Sequence, residues 1–318
     1  MKKLLQITCA VILLSSCGSE ESIPDLLQNT ENSMIITGIR ESISYTYTSN
    51  SGRSESSVPE DVNMIQILVL DSNDDVVYEQ YHYNNNAYNH YYYDSAAHGG
   101  DDYMFENTIP DTLYIPPLAD GTYTVLASTT YAYSYDYYGD SIGNYPYIES
   151  YQVSDGPIFV GKATAEVTED TDALVVMDMA NVSARIDLNI TSTLSSEWSL
   201  EIHLETTNGM YYSFENESLM SRGNDYYDYL YFWRDSYWNQ SSYYFLPRDL
   251  KNIQLYFYDN SSGFNMNVSS SIDPQLAMSV GDVFTLNIDM DKLIEEGENV
   301  AFSWENIEWN DVGNIDIP

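Results

Sequence analysis

The sequence predicts an all-β protein: two β-sandwich domains behind a lipoprotein signal peptide. Three observations predict it. First, strict two-residue alternation recurs. From 182 to 190 every even position (Val182, Ala184, Ile186, Leu188, Ile190) is apolar and every odd one polar, and Phe284, Leu286, Ile288 and Met290 alternate with Thr285, Asn287 and Asp289. Second, no long stretch sustains a helical period; Asp291 to Glu296 has room for a turn or two. Third, the chain holds 31 Tyr against 9 Phe. Tyr suits a pleated surface that is half buried and half wet.

The elements follow in order. Residues 1–16 read as a signal peptide: Lys2 and Lys3, then an apolar run from Leu4 to Leu14 broken by Gln6 and Thr8. That run is too short to span a bilayer as a stable helix. It ends in Leu14-Ser15-Ser16-Cys17, the form of a lipobox, with cleavage expected before Cys17 and acylation on its thiol. The position of Cys17 at the end of the run, with Gly18-Ser19-Glu20-Glu21 after it, favours this over a plain secretory signal with an incidental cysteine. Cys9 lies inside the signal, so the mature chain has one cysteine, consumed by acyl chains, and no disulfide. Each buried acyl methylene adds about 0.8 kcal/mol to membrane attachment. No later apolar stretch is long enough to span a membrane.

Residues 17–33 form the lipidated tether and 34–180 the first sandwich. Met64 to Leu70 is apolar on both faces, as a central strand would be. Asp71 to Asp75 turns the chain and Val76 starts it back. Leu113-Tyr114-Ile115 precedes Pro116 and Pro117; Asp120-Gly121 is a turn, Thr122 to Ala127 a strand, and Ala173 to Met177 another. The join is placed near Ala180, between two strong strand signals. Residues 181–318 form the second sandwich, where Ile253, Leu255 and Phe257 alternate with Gln254, Tyr256 and Tyr258. The stretches 81–103, 131–151 and 226–244 are dense in Tyr, Asn, Asp and Ser, the last with Trp233 and Trp238. They read either as binding loops or as a wall of Tyr-rich strands with wet hydroxyls.

Charge narrows the function. The net charge is −38, and becomes −40 once Lys2 and Lys3 leave with the signal. Such a field repels phosphate backbones, so nucleic acid is not an expected partner. No recognisable catalytic or cofactor motif occurs, and neither enzyme activity nor a cofactor is expected. His82, His90 and His98 recur every eight residues, a spacing that suits no helical metal site, and read as surface histidines. Asp71, Asn73 and Asp75 echo a calcium loop, but Val76 stands where that loop needs Gly and His82 where it needs an acid; they read as a hairpin turn. Glu201 lies near His203 without a nucleophile in a recognisable setting.

Several pieces in order resemble the FimB-type fimbrial anchoring subunits of Bacteroidota: Leu14 to Cys17, Ile67 to Asp71, Leu113 to Ala127, Gly156 to Gly161, Ala184 to Leu188 and Val300 to Trp304. The resemblance implies transthyretin-like sandwiches. It implies an outer-membrane lipoprotein, exposed at the cell surface, that ties a pilus to the membrane and limits its length. Its partners would be a fimbrial shaft subunit and, through acyl chains on Cys17, the outer membrane. Ser19-Glu20-Glu21 resembles the acidic tract of surface-exported lipoproteins in that phylum. Pilins of the resembling class are joined by donor strands, which fill a groove opened when an N-terminal strand is removed after an Arg. Arg53, in a polar stretch, is the candidate processing site. Phe302, Trp304, Ile307 and Trp309 are candidate donor side chains; the other reading of that segment is the last strand of its own sheet. The alternative function is a surface lipoprotein that binds a glycan or host protein through the Tyr- and Trp-rich loops.

Overall fold

The computed structural model describes residues 33–43, 62–84, 103–105, 110, 112–133, 145–149, 153–154, 156–169, 172–191, 198–206, 209–222, 229–235, 242–259, 264–291 and 303–308. They belong to one compact unit, Glu31–Pro318. The fold is all-β, as the alternation predicts. Among the described residues helical backbone is confined to 39–43 and 290–291.

The first sandwich packs a six-stranded sheet on a three-stranded one. The six run in the order Met179–Asn181, Phe159–Val167, Gly121–Ser128, Met64–Leu70, Val76–Asn84, Tyr103–Phe105. Met64–Leu70 lies inside this sheet and is buried at every position, which its two-sided apolar run requires. Its hairpin turn is an Asx turn. Asp71 Oδ1 accepts from the N–H groups of Asn73 (2.8 Å) and Asp75 (3.1 Å), and these bonds hold its carboxyl below the usual range despite some opposing desolvation. The facing sheet is Ala173–Val176, Met34–Thr37, Thr112–Ile115. Met34, Ile36, Ile115 and Val175 from it meet Ile65, Ile67, Val125 and Phe159 in one core.

The second sandwich faces a five-stranded sheet (Ser303–Glu308, Asp282–Asp289, Ala184–Thr191, Ser242–Phe245, Val153–Ser154) with a four-stranded one (Tyr229–Asp235, Trp198–Thr206, Leu250–Asp259, Phe264–Leu276). Ile186, Leu188, Phe284 and Leu286 pack in a core with Leu200, Ile202, Leu255 and Phe257. The two sandwiches share a wiring. In each, the first strand (Met34–Thr37; Ala184–Thr191) runs parallel to a late strand (Ala173–Val176; Asp282–Asp289) and antiparallel to a middle one (Thr112–Ile115; Ser242–Phe245).

They are also stitched together. Tyr147–Ile148 pairs with Met210–Ser213, and Val153–Ser154 with Ser242–Phe245. A small sheet (Ser218–Ser221, Met210–Ser213, Tyr147–Ile148) contributes Tyr212 and Ile148 to a core with Leu68, Leu126 and Val160. Burial, with the Glu217 carboxylate adding to it, pushes the Tyr212 phenol up to about 12. Arg222 Nη2 meets Glu149 Oε1 at 2.6 Å, both side chains buried, and Lys162 Nζ donates to the Phe214 carbonyl at 2.9 Å.

Two expectations are corrected here. Val182 belongs to this linking core and not to the second sandwich. Asn181 Oδ1 accepts from the N–H (2.9 Å) and hydroxyl (2.7 Å) of Ser183, and this local turn breaks the ladder ahead of Ala184. Ala184, Ile186 and Leu188 do sit in the second core, with Ile190 half-buried against it. His82 is no surface histidine. It lies on Val76–Asn84 opposite Ile65, on the core side, and burial lowers its pKa to about 4. His90 and His98 lie outside the described residues.

Candidate functional site

The N-terminal strand occupies a slot. Met34–Thr37 lies between two strands far away in sequence, with Met34 opposite Ala173 on one side and Ile115 on the other. Both of its ladders close within this chain. Met34 and Ile36 point into the core and are fully buried, as are Ile39 and Ile43 just beyond. Burying four such side chains stabilises the segment by on the order of 8 kcal/mol, comparable with the whole stability of a domain.

Polar bonds fix both ends. Ser33 donates its hydroxyl (2.6 Å) and N–H (3.2 Å) to Asp172 Oδ1. The Ser42 hydroxyl donates to Asp178 Oδ1 at 2.7 Å and accepts from the Met179 N–H at 2.6 Å. Between them Gly38 has φ +88°, and a side-chain carbon there would lie 2.9 Å from the Met177 carbonyl oxygen. Only glycine fits, because the backbone is left-handed and the neighbouring strand is in contact. The turn it makes sends the chain from strand into the 39–43 helix. The segment 33–43 is thus a plug: a strand, a glycine corner and one helical turn, all upstream of Arg53.

What the slot can do follows from its position. A central strand cannot be replaced while it is present. If it were cut away, two facing ladders would be left open between Ala173–Val176 and Thr112–Ile115, a groove that accepts an extended strand with alternating apolar side chains.

Of the residues the sequence singles out, Cys17, Arg53, Phe302 and Trp309 lie outside the described residues. Trp304 and Ile307 fall on Ser303–Glu308, an outermost strand of its own sheet, opposite Leu286 and Val283. The Tyr-rich stretches divide. Tyr81 and Tyr83 are buried and stacked at 6.0 Å, and Gln66 Nε2 donates to Glu79 (2.8 Å), to the Tyr81 hydroxyl (3.2 Å) and to the Ala132 carbonyl (3.1 Å). These tyrosines are wall. Tyr231, by contrast, is 55% exposed. His203 lies 4.5 Å from its ring and 4.6 Å from that of Tyr256, and its Nε2 is 2.6 Å from Glu201 Oε1. Sequence reasoning missed the plug itself. Its signal was Gly38 immediately after a four-residue apolar-rich strand.

No family model and no curated protein matches the chain. Solved structures do. One, from Bacteroides uniformis ATCC 8492, is provisionally described as a cell adhesion protein (13% identity, 89% of this chain and 99% of that chain, TM-score 0.42). Another is the fimbrial anchor protein Mfa2 from Porphyromonas gingivalis (14% identity, 81% and 91%, TM-score 0.33). A third is the tip fimbrial protein Mfa3 from the same organism (10% identity, 88% and 100%, TM-score 0.30). At these values the likeness assigns nothing to this chain.

Proposed function

We propose that this chain is a lipid-anchored fimbrial subunit of the bacterial outer membrane, displayed on the cell surface, that holds a pilus to the cell. Two sandwich domains meeting near Ala180 would form its body. The observation that carries the reading is the covalent order Cys17, plug, Arg53, body. Any cut after Arg53 would open the groove and in the same act separate the body from its lipid. A subunit that keeps its plug keeps its anchor and cannot accept a donor strand. It can only donate one, and chain growth ends there. That is the behaviour an anchor needs. The donor would come from the C-terminal segment, through Phe302, Trp304, Ile307 and Trp309. Among the described residues Ser303–Glu308 is held by one ladder, so its release would disturb a single neighbour.

The experiment is N-terminal analysis of the protein recovered from membranes and from fibres. An acylated Cys17 in both supports the anchor. A start at Ser54 in fibres makes the chain a shaft subunit instead. Cys17→Ala should move the protein from the membrane fraction to the soluble one or leave an uncleaved precursor.

A second reading has its own observation: the exposed Tyr231 beside His203, Tyr256 and Glu201 on the outer face of the four-stranded sheet. Rings flanked by a carboxylate suit a sugar face and its hydroxyls. Binding to a glycan array that Tyr231→Ala abolishes would favour it.

A further inference from the structure

The two sandwiches share their wiring but not their edges, and among the described residues the difference leaves one edge uncovered. In the second sandwich the late parallel strand Asp282–Asp289 is covered on its outer side by Ser303–Glu308, running antiparallel. In the first, the strand in the same topological place, Ala173–Val176, is the outermost of its sheet among the described residues. Leu174 and Val176 project from it 68% and 69% exposed. The bonds to the first strand leave from the N–H groups of Ala173 and Met177, which donate to the carbonyls of Ser33 and Thr37. The alternation of a ladder therefore turns the N–H and C=O groups of Leu174 and Val176 toward the open side.

The chain then passes through Met177 and Asp178 into Met179–Asn181, itself the outermost strand of the six-stranded sheet. It crosses over Gly161, where a side-chain carbon would sit 2.7 Å from the sulfurs of Met177 and Met179. One continuous run thus forms the rim of both sheets. Its exposed residues are Asp172, Leu174, Val176, Asp178 and Ala180. Natural edges are usually protected by Lys, Pro or a bulge. Residues 172–181 contain no Lys or Pro, and the pairing of Ala173–Val176 runs without a shift in register.

We propose that this rim takes up an extended strand from a protein partner. Its side chains on the exposed face would read basic, apolar, apolar, basic. Aliphatic groups would cover Leu174 and Val176, and Lys or Arg would face Asp172 and Asp178. Charge selects this occupant over a second copy. Two copies paired antiparallel about Val175 would set Asp172 of each opposite Asp178 of the other, on chains that each carry a net −38. Asp282 does face Glu308 in the second sandwich. That strand, however, is tethered to its neighbour by the chain, whereas an incoming strand is held by its contacts alone. The proposal concerns the body with its plug seated, since Met34–Thr37 is the neighbour of Ala173–Val176 and Asp172 and Asp178 also accept from Ser33 and Ser42. It does not depend on the acylation of Cys17.

The test uses the full-length protein in detergent and three fluorescent peptides. One alternates Thr with Lys, Val, Ile and Lys; its twin carries Glu for Lys; the third scrambles the first. Fluorescence anisotropy should show the patterned Lys peptide binding at least about tenfold tighter than either control, a gap of about 1.4 kcal/mol. Hydrogen exchange should slow at the Leu174 and Val176 amides, and Leu174→Lys should abolish binding. Both side chains project into solvent, so the melting temperature should hold; if it does not, Val176→Thr, which keeps strand preference, replaces it with a several-fold loss expected. Equal binding of the scrambled peptide, or binding that the rim variants leave unchanged, overturns the proposal. So does a dimer in sedimentation that Val176→Lys dissolves, since the occupant would then be a second copy.

Discussion

The first strand of each sandwich stands in the same place and does a different job. Ala184–Thr191 is bound to its body by continuous chain on both sides, and nothing in its surroundings invites removal. Met34–Thr37 has two neighbours in the equivalent places, Ala173–Val176 and Thr112–Ile115, but its chain reaches the body through the stretch that contains Arg53. If the chain is cut at Arg53, one wiring gives a permanent core strand in one half and a detachable one in the other. The covalent connection, not the pairing, would then make the strand a switch.

The largest test breaks each core in turn. Ile36→Asp and Ile186→Asp each bury a carboxylate without a partner at a fully buried position, and each should cost on the order of 4 kcal/mol or more. All five Trp, from Trp198 onward, lie in the second half of the chain. Trp198 is in the second core. Tryptophan emission should therefore shift at lower denaturant for Ile186→Asp, while Ile36→Asp should first lose far-ultraviolet strand signal with emission still native. Coincident transitions in the Ile36→Asp protein would show that the stitching through 147–154 makes the halves one cooperative unit.

A smaller effect belongs to the first sandwich alone. The folded chain keeps His82 neutral down to about pH 4, because burial disfavours its charged form. The unfolded chain takes up that proton near pH 6.5. Between those values the unfolded state binds more protons, so stability is fully present above about pH 6.5 and falls as the pH drops toward 4, by about 3 kcal/mol in all. Urea unfolding across that range should show this slope, and His82→Gln should flatten it whatever it does to stability at pH 7. An unchanged slope would place His82 in contact with water.

The strands were legible, because burial on one face leaves a period of two: Ile186 and Leu188 point where the alternation says. The same alternation was present at Val182, yet a side-chain bond from Asn181 diverted it into another core. His82 was hidden because its neighbours look polar; Gln80 and Tyr78 share its face, and only the register with Ile65 and Ile67 reveals that this face is dry. The plug was hidden for a different reason. Ser33 and Asp172, which fasten it, are 139 residues apart, and no local pattern encodes so distant a pairing.

Gly38→Ala probes the plug without touching the core. The substitution forces a left-handed backbone on a residue with a side-chain carbon and brings that carbon against the Met177 carbonyl, at a cost of about 2 kcal/mol. Since strain falls on the corner, opening of 33–43 should become easier while the second sandwich keeps its stability. Limited proteolysis should cut the variant between 44 and 61 faster than the parent, and faster release of the body from membranes should follow. Equal cutting rates would mean that the protease reaches that stretch with the plug seated.

The smallest expected effect on stability sharpens the comparison at the other end of the chain. The plug is a central strand with two ladders; Ser303–Glu308 is an edge strand with one. Residues 311–318 lie beyond it in sequence and outside the described residues; of them only Asp311 and Asp316 are charged. Deleting 311–318 should leave the melting temperature within about 1 °C of the parent, since the cut leaves Ser303–Glu308 and its ladder intact. If the C-terminal segment donates to a pilin, the same deletion shortens the donor and should lower the number of pili retained per cell after shear, with the truncated protein still membrane-bound. Full retention would remove these residues from the donor role and leave Phe302, Trp304, Ile307 and Trp309 to be tested alone. A large fall in melting temperature would instead bind residues 311–318 to their own body, and donation would then have to break those contacts as well as the ladder of Ser303–Glu308.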